Sequence, residues 1–182
     1  MKYEKIPLCS EYLTKVKQLK LIELVVLGKD PYPMNPTGIP FMKSTWSEMN
    51  GNSSGFHILN SIFGGLPSSD KYESPKDYAN YLLSIGIVFL NCSYHYLGGK
   101  LSKNKHKDFL DEAAIINSPI LLKSNRVILC GKEVSSAMLC NSKKYNYIEM
   151  PHPSRFSRKS DPDNWDRFWA CNQLRNIITK NN

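Results

Sequence analysis

The sequence predicts a single α/β domain built on a central, mainly parallel four-stranded sheet flanked by helices. Two observations carry this prediction. Four short apolar, β-branched runs recur at residues 21–28, 85–91, 126–131 and 145–150, and segments with helical character fall between them. The first three runs are nearly continuous in apolar residues, as strands buried on both faces must be. Strands that alternate with helices form a parallel sheet covered on both faces. Length agrees, since 182 residues suffice for one domain with a real core and are short for two. The expected domain is therefore 1–182.

The elements follow in order. Run 21–28 (LIELVVLG) is the first strand. A helix over 75–84 begins after Ser74, an N-cap residue followed by proline at the first helical position. Run 85–91 (IGIVFLN) is the second strand. A helix over 107–117 aligns Phe109, Leu110, Ala113, Ala114 and Ile116 along one side. Run 126–131 (RVILCG) is the third strand, and a helix over 132–140 follows its glycine. Run 145–150 (YNYIEM) is the fourth. A last helix is expected over 163–179, with Trp165, Phe168, Trp169, Leu174 and Ile177 at mostly helical spacing.

Composition narrows the class. No apolar run approaches the roughly 20 residues that span a bilayer, and the first ten residues lack a signal-peptide core. The expected location is cytoplasmic, with no membrane partner. Cys9, Cys92, Cys130, Cys140 and Cys171 are scattered, without zinc spacing. Reduced thiols, no metal and no cofactor are expected. The net charge of +8 suits a polyanion, and nucleic acid is the commonest one. Lys100, Lys103, Lys105 and Lys107 form one basic cluster; Arg155, Arg158 and Lys159 form another. Solvated surface charge is the plain alternative for both.

In parallel sheets ligands bind beyond the carboxyl ends of the strands. The polar residues there are Lys29 and Asp30 after the first strand, Asn91 ending the second, Lys132 after the third, and His152 and Ser154 after the fourth. A carboxylate, an amide and an imidazole thus share one rim. Taken singly, each has an ordinary structural explanation: a turn Asp, a turn Asn, a surface His.

Four segments in order carry a resemblance. Gly28-Lys29-Asp30-Pro31-Tyr32-Pro33 resembles the water-activating loop of family 1 uracil-DNA glycosylases, usually GQDPYH. Gly38-Ile39-Pro40-Phe41 resembles the segment with that family's base-stacking phenylalanine. Val88-Phe89-Leu90-Asn91 resembles the strand end with its uracil-reading asparagine. His152-Pro153-Ser154-Arg155-Phe156-Ser157 resembles its DNA-intercalating loop, HPSPLS. The agreement runs from about residue 21 to 176.

The resemblance implies a uracil-DNA glycosylase-like three-layer fold and a monofunctional hydrolase that breaks the N-glycosidic bond of flipped-out uracil in DNA. It makes Asp30 the group that stabilises the sugar cation and orients water, and His152 the donor to the departing base. Tyr32, Phe41 and Asn91 become the uracil-binding set. Ser53, Ser54, Ser154, Arg155, Phe156 and Ser157 become the DNA-binding set, with Phe156 where the family has a leucine wedge. For Ser53 and Ser54 a flexible Gly/Ser loop explains the sequence equally well, and Phe156 can instead fold back onto the core. The implied partner is uracil-containing DNA, and the expected state is a monomer. Lys29 and Pro33 depart from the pattern. Lys29 has no acceptor where the family has an amide, and can turn inward onto Asp30 or outward to phosphate. Pro33 removes an imidazole and a backbone N–H. A weak or inactive homologue remains the alternative, one that binds DNA or serves as decoy for an acidic DNA-mimicking inhibitor protein. A related hydrolase for another base is the third reading.

Overall fold

The computed structural model describes residues 3–68, 70–138 and 146–179. Its central sheet comprises β2 (Leu24–Gly28), β3 (Ile87–Asn91), β5 (Val127–Cys130) and β6 (Tyr147–Met150), in the order β3-β2-β5-β6. Every pair is parallel. β2, β3 and β5 are buried along their whole length, which accounts for their unbroken apolar sequence. β6 is an edge strand and largely part-exposed. A pair of two-residue strands, β1 (Glu4–Lys5) and β4 (His95–Tyr96), lies apart from this sheet and is antiparallel.

The chain moves outward from β2 to β3, then crosses back to β5 and on to β6. The direction of winding therefore reverses between β2 and β5, and a crevice opens at the carboxyl ends of those strands. The connecting helices are α3 (Pro75–Ser84), α4 (Lys107–Leu121) and α5 (Lys132–Met138). α2 (Ser54–Phe63) packs against α7 (Pro162–Trp169) and α8 (Gln173–Thr179). At the other edge, α1 (Ser10–Gln18) buries Tyr12 and Val16. The Tyr12 hydroxyl accepts from Phe89 N at 2.8 Å and donates to Phe89 O at 3.4 Å, closing the open edge of β3.

Several boundaries differ from expectation. The first strand starts at Leu24, and Ile22 makes only an isolated bridge to Ser124. The second starts at Ile87, because Ile85 caps α3 and Gly86 turns the chain at φ 77°. The helix expected over 107–117 continues to Leu121 through Pro119. Residues 139, 140 and 145, at the ends of expected elements, lie outside the described residues.

The helix expected over 163–179 is two helices. Ala170 is extended and Asn172 is left-handed, at φ 60°. The break is held from outside by Ser61 of α2, whose hydroxyl donates to Phe168 O at 2.6 Å and accepts from Leu174 N at 2.8 Å. α1, α2, α6 (Arg155–Ser160) and the β1–β4 pair were not expected. For α2 the signals were present: Ser53 as N-cap, apolar Ile58, Leu59 and Ile62, and Gly64 at the end in the left-handed conformation.

Candidate active site

Asp30, Asn91 and His152 line one cavity of about 190 Å³, with Lys29, Pro31, Tyr32, Pro33, Phe41, Ser54 and Tyr96. The strands bring them together. Gly28 and Asn91 are register partners at the ends of β2 and β3. Beyond them the backbones stay paired, with Cys92 N donating to Gly28 O and Ser93 N to Lys29 O. The loop holding Asp30 is therefore tied to the end of β3. His152 follows β6.

Asp30 is nearly buried. One carboxylate oxygen accepts from Leu97 N at 2.9 Å. The other lies 3.7 Å from the Lys29 ammonium. Burial pushes the Asp30 carboxyl up from its usual range, while the Leu97 amide and Lys29 oppose that shift. Lys29 thus turns inward. Its Nζ donates to Gly99 O at 2.6 Å and stands 3.9 Å from Glu133 Oε2, which itself accepts from Leu101 N. Pro33 is exposed at the cavity mouth.

His152 is held by the core beneath it. The indole of Trp165 donates to His152 O at 3.1 Å, and that of Trp169 to Pro151 O at 2.8 Å. Burial holds the imidazole down to about 4, and nearby Lys29 adds to the effect. At neutral pH the ring is therefore neutral, with one N–H to donate.

The Asn91 side chain and the Phe41 ring both close on Gly28. A Cβ at residue 28 would lie 2.6 Å from both Asn91 Oδ1 and Phe41 Cζ, so only glycine fits. Behind Asn91, its carbonyl accepts from Asn117 Nδ2, and Asn117 Oδ1 accepts from the buried Tyr94 hydroxyl. Phe41 adopts φ 64°, a strained conformation for a bulky residue. Its carbonyl passes so close to Gly55 that an added Cβ would sit 2.0 Å away. Tyr32 accepts a hydrogen bond from Gly55 N at 3.4 Å, and its ring lies 3.8 Å beneath the Lys43 ammonium.

The serines of the 50–55 segment are not a flexible loop. Ser53 is buried and caps α2 by accepting from Phe56 N at 3.1 Å. Ser54 is buried at the cavity wall. Ser154 likewise caps α6, accepting from Ser157 N. Arg155 is exposed and donates to Asn52 Oδ1 at 2.9 Å. Phe156 does not fold back: it is 82% exposed, the most exposed large apolar side chain among the described residues. It borders a second cavity, of about 530 Å³, that shares Lys29 and His152 with the first.

Sequence reasoning missed Glu133, Lys43 and Tyr96 here. Glu133 stands one residue beyond the flagged Lys132, at the same rim. Lys43 and Tyr96 carry no local signal, since tertiary contact alone brings them in.

No protein-family model and no curated protein matches this chain. Solved structures do. A point mutant of UNG, a uracil-DNA glycosylase, from Nitratifractor salsuginis superposes with a TM-score of 0.52 at 13% identity, covering 86% of this chain and 76% of that one. The wild-type structure of the same protein gives a TM-score of 0.49 at 14% identity over the same shares. The four-stranded parallel sheet with flanking helices is thus a uracil-DNA glycosylase-like fold.

Proposed function

We propose that the chain removes uracil from DNA by hydrolysing its N-glycosidic bond. The observation that carries this reading is the convergence of Asp30, Asn91, His152, Tyr32 and Phe41 on one cavity at the strand ends. A base inside a duplex is out of reach, so it is rotated out and into the cavity. Phe41 offers a stacking face. Asn91 offers both an acceptor and a donor to the imide edge of uracil, which a carboxylate lacks. Tyr32 stands against C5 and leaves no room for thymine's methyl.

The bond then breaks through an oxocarbenium-like sugar. The Asp30 carboxylate stabilises that cation and orients the attacking water. The neutral His152 ring donates to the carbonyl oxygen on which the leaving base gathers charge. Exposed Phe156, flanked by Arg155, Arg158 and Lys159, fills the gap in the duplex while the basic residues meet phosphate. Ser154 and Ser157, at the start of α6, are assigned to the same DNA contact, whereas Ser53 and Ser54 are buried at the start of α2 and act by holding the cavity wall.

The Lys29–Asp30 contact favours a second reading, that of an impaired relative. A cation about 4 Å from a carboxylate interacts with it by roughly 4 kcal/mol at an effective dielectric near 20. Each factor of ten in rate is worth only about 1.4 kcal/mol. Partial cancellation of the Asp30 charge therefore slows the reaction strongly. In that reading the chain serves as a DNA binder, or as a partner for an acidic DNA-mimicking inhibitor. Release of free uracil from a uracil-containing oligonucleotide distinguishes the readings. Release supports the enzyme. Tight binding of DNA or inhibitor without release supports the relative.

A further inference from the structure

We propose that Lys29 is a nucleophile towards abasic deoxyribose, its amine condensing with the C1′ aldehyde that base removal leaves behind. The proposal rests on the uracil-DNA reading and adds a second activity to the same cavity.

Three features point to it. Lys29 lines both cavities, and its side chain remains 23% exposed. Its Nζ stands 3.7 Å from Asp30 Oδ1, the group that must lie beside C1′ to stabilise the sugar cation. Gly99 O fixes it there at 2.6 Å. Once the base has left, the sugar opens to an aldehyde at that same carbon. A lysine amine forms imines with carbonyl carbons, which a glutamine amide does not. The carboxylates of Asp30 and Glu133 are both within 4 Å to take the proton that the ammonium must lose.

The chemistry balances without a co-reactant. Nζ bonds to C1′, the carbonyl oxygen collects two protons and leaves as water, and a cationic imine remains. That cation acidifies the C2′ proton. Its loss to a carboxylate sends the electron pair into the C1′–C2′ framework and breaks the C3′–O bond. The strand is cut, and the departing fragment carries a 5′-phosphate. Water then hydrolyses the imine and frees Lys29.

The test supplies the aldehyde ready-made, so it does not depend on uracil removal. The natural protein is mixed with an oligonucleotide carrying a pre-formed abasic deoxyribose, and sodium borohydride is added to reduce any imine to a stable amine. A tetrahydrofuran analogue, which has no aldehyde, serves as negative control and binding probe. The proposal expects a covalent complex with the abasic strand and none with the analogue. The complex is lost in Lys29→Gln and in Lys29→Arg, and kept in Lys132→Gln, a second lysine lining the larger cavity. Lys29→Arg retains the cation between two carboxylates. Loss of the complex with melting temperature and analogue binding intact therefore assigns the effect to the amine. An adduct that survives Lys29→Arg, or vanishes only in Lys132→Gln, overturns the proposal. So does a natural protein that binds the analogue or releases uracil yet never traps; the uracil reading then stands alone. Failure to bind either strand overturns both.

Discussion

At the scale of single residues, charge and protonation decide what the cavity does. In the proposed reaction Lys29 sets how much of the Asp30 charge reaches a bound sugar, and burial sets the state of His152. The folded imidazole titrates near 4, against 6.5 for a free one. Between those values the unfolded chain holds a proton that the folded chain does not, so stability falls as pH falls from about 6.5 to about 4. His57 and His106, whose values are also lowered by burial, push the same way. His152→Gln is expected to shallow the loss seen in melting temperature over that window. An unchanged slope would mean that His152 is not buried as described. In the proposed reaction Tyr32 governs the choice of base. Overpacking a rigid site costs about 1–3 kcal/mol, so Tyr32→Ala is expected to begin releasing thymine where the natural protein releases none. Intact uracil release without any thymine release would remove Tyr32 as the gate. That Asp30, Asn91 and His152 share one rim was legible because each stands at or just beyond a strand end, whereas the roles proposed for them come from the resemblance alone. The orientation of Lys29 was not legible, since it depends on Gly99 and Glu133, far away in sequence.

At the scale of elements, the site depends on close approaches that only glycine allows. Gly28 ends β2 directly against Asn91 and Phe41. A methyl group there displaces Asn91 and Phe41, the proposed reader and stacking face, together, and a misplacement of about 1 Å can cost on the order of a hundredfold in rate. Gly28→Ala is expected to lose uracil release at that scale while circular dichroism still reports the fold. Unaltered release would show that Asn91 and Phe41 move aside freely. Local chemistry made some elements readable to the residue: α3 begins at Pro75 after its Ser74 cap and ends at Ser84 as expected. The break between α7 and α8 was unreadable from its own sequence, because Ser61, on a distant helix, supplies the hydrogen bonds that replace the helical ones. α2 was passed over for another reason. The Gly and Ser residues at its start look like loop formers, yet Ser53 caps the helix and Gly55 makes room for Phe41.

At the scale of the molecule, a net charge of +8 suits the polyanionic substrate proposed for the cavity. Lys107 is paired with Asp111 and Arg158 with Asp166, so these two offer less to phosphate than their formal charge implies. Arg155 and Lys159 lie exposed on α6 beside Phe156. Each phosphate contact steepens the log–log salt dependence of duplex binding by about 0.9. Arg155→Ala and Lys159→Ala are each expected to reduce the slope by about that amount, and equal slopes would leave these residues as solvated surface. The central claim, that this cavity excises uracil with Asp30 held partly in check by Lys29, is tested most directly by single-turnover uracil release. Three proteins are compared: the natural one, Asp30→Asn, and Lys29→Gln combined with Pro33→His. The account predicts slow release by the natural protein, none by Asp30→Asn, and faster release by the double variant. Release that persists in Asp30→Asn, or a natural protein and double variant that are both inert, would contradict it.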